Sequence, residues 1–299
     1  MAGTCAPEAP ADRHHGGMTE MSALRFVERA PSARLRSVVN RLWLISGPAP
    51  QRTERILPLP FVHLIVNLGD PYRVLEQGAE RPGLLLTGAF LSGLQTAHLV
   101  NENPAFLHHV GAEIRPHALA ALTAVPPREV AERVRDAEPV LPGVERLRAV
   151  LVRASDPEDA IDPLERFLLS SLRPGWTPDS RVEAALARMA AQPDRPIASL
   201  ATEAGVSHQT LIAEFVRTCG ITPKKLAEVY RHVAFLAAIP PVPPLPTWAE
   251  LAASAGYYDQ PHFIRSFARL TGLTPRRYLQ LRRATAGEDS ASFLSEDGR

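Results

Sequence analysis

The sequence has few cysteines, no long apolar run and almost no net charge. Among its 299 residues are two cysteines, Cys5 and Cys219, which are too few for a disulfide framework. No paired Cys/His spacing is typical of zinc, so we predict no metal and no cofactor. The first twenty residues lack the apolar stretch of a secretory signal, and no run reaches about 18 apolar residues. We therefore expect a reducing, cytoplasmic location and no membrane span.

The near-zero net charge hides an uneven distribution. The formal net charge is +1, yet residues 181–283 contain 13 Lys and Arg against 7 Asp and Glu. The last sixteen residues carry a net charge of −3. A basic C-terminal third beside a mildly acidic front part is typical of a polyanion-binding module attached to another domain.

Composition and apolar spacing divide the chain into four parts. The first, 1–20, is predicted to be a disordered arm, and the last, 284–299, a disordered acidic tail. Residues 21–175 begin with short apolar segments broken by Gly, Asn and Pro, and from about His117 they show helical spacing. Residues 181–283 are predicted to be mainly helical. The fold class is therefore α+β, with a small antiparallel sheet or barrel plus helices in front and an all-α domain behind.

Several apolar and polar residues of the front strands are candidates for an effector pocket or for a core. Apolar residues in strands are core residues by default, so no effector-binding residue is assigned. The candidates are Trp43, Phe61, His63, Asn67 and Tyr72.

The all-α part contains an internal repeat. The segment "SLATEAGVSHQTLIAEFVRTCGITPKK" aligns with "ELAASAGYYDQPHFIRSFARLTGLTPRR". Gly205 matches Gly256 at an offset of 51, and Gly220 matches Gly272 at an offset of 52. The same two-helix pattern therefore occurs twice, with one extra residue in the second turn.

Each repeated residue has a local physical reason. A glycine ends a helix where a left-handed residue is needed, and Ser207 or Asp259 then caps the next helix. Thr-Pro, at 222–223 and 274–275, starts a further helix with Thr as N-cap and Pro at the first helical position. Two helices joined by a short turn with glycine form a helix-turn-helix unit.

The second helix of each unit carries polar residues on its outward side, including Gln, His, Thr and Arg. Such side chains can read base edges in a DNA major groove. A solvated helix face is the alternative for one such helix, but two copies in a basic segment favour DNA binding. A predicted helix over Lys224–Ile239 joins the units. Its length of about 24 Å, together with the units' own width, is compatible with the roughly 34 Å between successive major-groove faces. The following "PPVPPLP" (240–246) cannot continue that helix.

The stretch "AGYYDQPHFIRSFARLTGLTPRRYL" from Ala255 resembles the DNA-binding domain of the AraC/XylS transcription regulators. The resemblance covers about 181–283, and 21–175 is more weakly similar to N-terminal domains of that family. It implies a bacterial, cytoplasmic transcription regulator, expected to be an activator, whose front domain senses a ligand, dimerises, or does both. The implied partner is double-stranded DNA, and further candidates are a small-molecule effector, RNA polymerase and a second copy of the chain.

Site residues follow from the resemblance by position. Base contacts are implied for His208, Gln209 and Thr210 in the first unit and for Gln260, His262 and Arg265 in the second. Phosphate contacts are implied for three residues beside helix N-termini: Lys224, Arg276 and Arg277. Ile212 and Ala213 stand where members often have long polar side chains, so the first unit is expected to read fewer bases.

The sequence also allows two alternatives to a ligand-sensing regulator. In one, the front domain only dimerises or binds another protein. In the other, the chain is a DNA-repair enzyme that transfers alkyl groups, because some such proteins carry the same DNA-binding unit. That chemistry needs an activated thiolate, and neither Cys5, in the arm, nor Cys219, in the DNA-binding unit, suits it. We therefore predict that the protein is not an enzyme.

Overall fold

The computed structural model describes residues 24–75, 83–154, 157–239, 250, 253, 260–284 and 293–295. Its front half is built from antiparallel strands that form two sheets. The first sheet has six strands in the order β1-β2-β9-β4-β7-β10. Their bounds are Arg25–Arg29 (β1), Val39–Pro48 (β2), Phe106–Ile114 (β9), Val62–Asn67 (β4), Ala89–Ser92 (β7) and Val134–Asp136 (β10).

The second sheet has five strands in the order β11-β3-β8-β5-β6. Their bounds are Phe293–Ser295 (β11), Thr53–Ile56 (β3), Leu99–Glu102 (β8), Tyr72–Leu75 (β5) and Leu84–Leu86 (β6). The two sheets pack on each other through an apolar cluster centred on Tyr72, whose ring lies 5.4 Å from that of Phe90. The predicted small antiparallel β domain is confirmed.

The turn between β4 and β5 carries the chain from the first sheet to the second and is held by the Asn67 side chain. The side-chain oxygen of Asn67 accepts a hydrogen bond from the Gly69 amide at 3.0 Å, and its amide nitrogen donates to the Asp70 carbonyl at 2.9 Å. Asn67 is fully buried and therefore serves the fold. Tyr72 also packs 5.1 Å from the ring of His109. These two effector candidates act as core residues in this structure.

Two helices cover the other face of the first sheet: Val144–Leu151 (α1) and Ile161–Ser171 (α2). Helical spacing from His117 predicted more helix than is found there. Leu119–Ala121 and Pro127–Glu129 form only single 3-10 turns, and Val134–Asp136 is strand β10, which pairs with β7. Over segments this short, the same apolar spacing fits a helix, a turn or a strand. Whether a strand forms then depends on pairing with an available sheet edge.

The all-α part consists of helices that follow the predicted pattern. They are Ser180–Ala191 (α3), Ile197–Glu203 (α4), His208–Cys219 (α5), Pro223–Ala238 (α6), Gln260–Thr271 (α7) and Pro275–Ala284 (α8). Helix α6 is the predicted linker. The predicted glycine turns are confirmed at Gly205, Gly220 and Gly272, which have φ of +66°, +81° and +69°. Asp259, Gly256 and the Pro-rich segment 240–246 lie outside the described residues.

Besides the cluster around Tyr72, buried apolar side chains of the described residues form one large core and one smaller core. The large core joins the first sheet, α1 and α2 to Leu211 and Phe215 of the first helix-turn-helix unit and to Leu226 of linker helix α6. No break in this core falls at the predicted boundary near 175–181. The smaller core surrounds Phe263 and Phe267 of the second unit.

The end of the chain departs from the predicted disordered tail. Phe293–Ser295 form β11, which pairs antiparallel with β3, with Leu294 opposite Arg55. The backbone of an edge strand presents unpaired N–H and C=O groups, so a passing extended segment can add to it. Residues 285–292 and 296–299 and the predicted arm 1–20 lie outside the described residues.

Candidate DNA-binding site

The first candidate recognition helix, α5, begins with a side-chain cap. The Ser207 hydroxyl accepts a hydrogen bond from the Thr210 amide at 3.0 Å, which satisfies one of the free amides of the first turn. Leu211 and Phe215 are fully buried one turn apart and hold the helix against the core. His208, Gln209 and Thr210 are all exposed, which agrees with the sequence prediction that they face out of the core.

The hydroxyl of Thr210 has a local partner. It lies 2.8 Å from the Ser207 hydroxyl, so it is engaged with the cap while the rest of the residue faces outward. Ala213 is also exposed and carries no polar group. The polar groups that α5 offers to a ligand are therefore concentrated on His208 and Gln209.

The second candidate recognition helix, α7, is anchored by aromatic residues. Phe263 and Phe267 are 1% exposed, with ring centroids 5.6 Å apart. Gln260, His262 and Arg265 are exposed, which agrees with the sequence prediction that they face out of the core.

Sequence reasoning missed one residue on this face. Ile264 lies beside Arg265, and 39% of it is exposed. An isoleucine in an amphipathic helix is usually buried. Only its angular position around the helix, relative to buried Phe263 and Phe267, could have indicated that it faces outward. An apolar side chain on such a face can contact a thymine methyl group.

The three residues predicted to contact phosphates lie in the first turns of α6 and α8, where backbone amides point outward. The Thr222 hydroxyl caps α6 by accepting from the Lys225 amide at 3.4 Å, and Lys224 is exposed beside it. The Thr274 hydroxyl caps α8 in the same way, and Arg276 and Arg277 are exposed. Both helix starts therefore combine partial positive charge with side-chain cations.

Other cations near the two helices are already paired with carboxylates. Arg217 contacts Asp179 at 3.1 Å and also pairs with Glu214. Arg269 pairs with Glu228. Within the described part of the chain, by contrast, Lys224, Arg265 and Arg276 form no ion pair, so their charge is available to an anionic ligand.

Cys219, at the end of α5, does not suit nucleophilic chemistry. It is 2% exposed, and burial raises the pKa of its thiol to about 12. An alkyl-accepting cysteine needs a lowered pKa. The arrangement therefore favours a packing role for Cys219 and weighs against the DNA-repair alternative.

Two family models match the chain. Residues 200–281 match a model described as a helix-turn-helix domain, and residues 27–136 match a domain of unknown function, DUF6597. No match was found among curated proteins.

Solved structures with some similarity include transcription regulators. An apo ToxT variant from Vibrio cholerae is 10% identical, with 80% of this chain and 97% of that chain covered and a TM-score of 0.44. Unsaturated fatty acid-bound ToxT is 11% identical, with 88% and 97% covered and a TM-score of 0.43. An AraC-type regulator from Chromobacterium violaceum is 19% identical, with 37% and 96% covered and a TM-score of 0.32. All three TM-scores are below 0.5, so these structures carry no argument about function. The nature of the C-terminal part therefore rests on the family model and on the sequence motif.

The fold combines a front half of antiparallel sheets with a helical C-terminal part, in which the first helix-turn-helix unit is formed by α4 and α5 and the second is represented by its recognition helix α7. The match over residues 200–281 shows a helix-turn-helix domain, which agrees with the resemblance of this part to the DNA-binding domain of the AraC/XylS regulators and supports a DNA-binding transcription regulator. Across the described residues, no helix combines the length and the apolar character that crossing a bilayer requires.

Proposed function

We propose that the protein binds specific DNA sequences by placing α5 and α7 in successive major grooves. The observation that carries the proposal is the shared design of the two helices: each buries aromatic or aliphatic residues on one side and exposes polar side chains in its first turns. His208, Gln209 and Thr210 would contact one set of bases, and Gln260, His262 and Arg265 another. Ile264 would add an apolar contact to the second set.

Lys224, Arg276 and Arg277 would contact phosphates and set the register of the helices on the duplex. In this proposal the protein acts as an activator in the cytoplasm of a bacterium, in contact with RNA polymerase. These assignments follow from the resemblance and from the DNA-binding domain.

Selection of double-stranded DNA from a randomised library by the full chain tests the proposal. We expect two enriched sequence blocks whose centres lie about 10 base pairs apart, one helical turn of B-DNA. Gln209→Ala should degrade one block and Arg265→Ala the other. Arg153→Ala, which removes an exposed arginine at the end of α1, is the matched control and should change neither. Enrichment of no sequence by the unmodified chain would refute the proposal.

We further propose that the N-terminal domain regulates DNA binding through a small-molecule effector, dimerisation, or both. The large core includes residues of α5, so an isolated N-terminal domain would expose apolar surface. The experiment therefore uses the full chain. A metabolite that binds the folded state should raise its Tm. A dimer should appear in sedimentation velocity at micromolar concentration. A chain that stays monomeric and shows no Tm shift with any metabolite tested would contradict this role.

A further inference from the structure

The two recognition helices end in glycines that lie against the N-terminal domain. A Cβ atom on Gly220, after α5, would lie 2.6 Å from the Pro127 carbonyl oxygen and 2.9 Å from the Ala131 Cβ. A Cβ atom on Gly272, after α7, would lie less than 3.0 Å from the Arg55 guanidinium and from the His98 ring. At both positions the N-terminal domain occupies the space that any other residue's side chain would need.

This contact is not a general property of left-handed glycines in the protein. Gly205, in the turn between α4 and α5, has φ of +66°, and a Cβ atom there would have nothing within 4 Å. The same holds for Gly175, with φ of +73°. Backbone conformation alone therefore explains these two glycines, whereas Gly220 and Gly272 also fit against a second surface.

Further contacts tie the second unit to the N-terminal domain. Leu57, the residue after β3, is 2% exposed and belongs to the small core of the second unit. The Arg55 guanidinium donates to the Thr271 carbonyl at 3.1 Å, and that of Arg269 donates to the Thr96 carbonyl at 3.0 Å. The chain after α8 returns to the same place, because β11 pairs with β3.

A polar contact also joins the linker helix to the same face. Lys225, in the first turn of α6, donates to both carboxylate oxygens of Glu132 at 2.8 Å, and Glu132 also bonds the Thr96 hydroxyl. Glu132 has φ of +57°, a left-handed conformation that is uncommon for residues other than glycine. The two side chains are about two-fifths exposed, so this ion pair contributes little to stability. Its main effect is to orient α6 on the N-terminal domain.

We infer that the N-terminal domain sets the separation and orientation of the two recognition helices by docking the C-terminal end of each. The inference rests on the proposed function and adds to it the element that determines operator spacing. Linker helix α6 connects the units along the chain, but the N-terminal domain holds α5 at Pro127 and Ala131 and α7 at Arg55 and His98. A change in the N-terminal domain would then alter which spacing of half-sites the protein accepts.

A distance measurement between the recognition helices tests the inference without DNA. Spin labels at exposed positions 213 and 264, introduced as Ala213→Cys and Ile264→Cys in a full chain with Cys5→Ser, report the separation by double electron–electron resonance. Buried Cys219 is not expected to react. The otherwise unmodified chain should give one narrow distance distribution.

Gly272→Ala should shift or broaden that distribution, because the new methyl group displaces Arg55 and His98. Gly205→Ala is the matched control: it places alanine at nearly the same φ but meets no neighbour, so the distribution should stay narrow. Equal distributions for the two variants would overturn the inference.

A second pair of variants keeps the test available if Gly272→Ala does not fold. Leu57→Ala removes the buried contact to the second unit and should broaden the distribution. Leu86→Ala removes a leucine buried between the sheets, in a cluster that contains no residue of either unit, and should leave it narrow. An unchanged distribution in Leu57→Ala would also overturn the inference.

The DNA library separates this inference from the proposed function. We expect the unmodified chain to enrich two blocks at one spacing and Leu57→Ala to accept additional spacings. A single unchanged spacing in Leu57→Ala would overturn the inference while the proposed function stands. Failure of the unmodified chain to enrich any sequence would overturn both.

Discussion

The two helix-turn-helix units share one sequence pattern, but the rest of the molecule supports them differently. Leu211 and Phe215 of the first unit lie in the large core, which continues into the N-terminal domain. Phe263 and Phe267 of the second unit lie in a small, largely aromatic core that receives Leu57 from the N-terminal domain. The first unit thus shares its core with the N-terminal domain, whereas the second rests on a separate, smaller core.

Linker helix α6 takes part in both cores. Leu226, near its start, belongs to the large core, and Phe235, near its end, belongs to the small one. A repeated local pattern therefore does not ensure equal stability, because most helical stability comes from the apolar surface against which a helix packs.

Truncation of one aromatic residue in each unit should give the largest effects and would test this difference directly. Phe215→Ala and Phe267→Ala each remove a fully buried ring and should cost ~3–5 kcal/mol. Hydrogen exchange should rise in the N-terminal domain as well as the first unit for Phe215→Ala, but only in the second unit for Phe267→Ala. Equal exchange in the N-terminal domain for both variants would contradict separate support of the units.

Acidification should weaken the second unit's core. His232 on α6 is 1% exposed and lies 5.5 Å from the ring of Phe267. Burial, and then the charge of Arg269, lowers its pKa to about 3. The unfolded chain therefore takes up this proton first as pH falls, so stability is full above about pH 6.5 and is lost below it.

The expected loss is about 2 kcal/mol between pH 7 and pH 5 from this histidine. Hydrogen exchange of α7, corrected for the intrinsic effect of pH, measures it. His232→Phe should remove this part of the pH dependence, whereas His109→Phe, between the sheets, should leave α7 as acid-sensitive as before. An α7 equally stable at both pH values would show that His232 has no such role.

Base readout should also differ between the units. Arg265 on α7 is exposed, and the corresponding part of α5 presents Ala213, which has no hydrogen-bonding group. Arg265→Ala should cost ~1–3 kcal/mol and relax preference at one base pair. Ala213→Gly, which leaves the readout groups of α5 in place, should not relax any position. An unchanged sequence profile for Arg265→Ala would remove Arg265 from the readout set.

The smallest expected effect concerns the phosphate contacts. Arg276→Ala should weaken binding to all sequences alike and reduce the salt slope of log K by about 1. Fluorescence anisotropy titrations at several salt concentrations measure this slope, with Arg153→Ala as the surface control. Loss of affinity for one sequence alone would assign Arg276 to base readout instead.

Much of the second half of the molecule could be predicted because its signals are local. Ser207 and Thr222 each cap a helix within three residues of themselves, and Gly220 ends one where φ must be positive. The helical period predicts the outward direction of His208 and Arg265, because the buried residues of the same helices define the opposite face. Ile264 was missed because an apolar residue on a helix is expected to face the core.

Long-range contacts could not be predicted in this way. Val134–Asp136 becomes a strand because the edge of β7 is available to it, and Phe293–Ser295 becomes one because β3 is. Leu57 follows a strand of the front domain yet is buried in the core of the second unit. Nothing within a few residues of these segments indicates the partner.

The sequence by itself determined the repeated unit, its caps, its turns and the polar faces of its two recognition helices, because these depend on φ, hydrogen bonds and periodicity over one or two helical turns. Only the tertiary structure decided that Gly220 and Gly272 each meet the N-terminal domain and that the two units rest on different cores. Those contacts join residues that are distant in the chain, and burial depends on which surfaces meet when the whole chain folds.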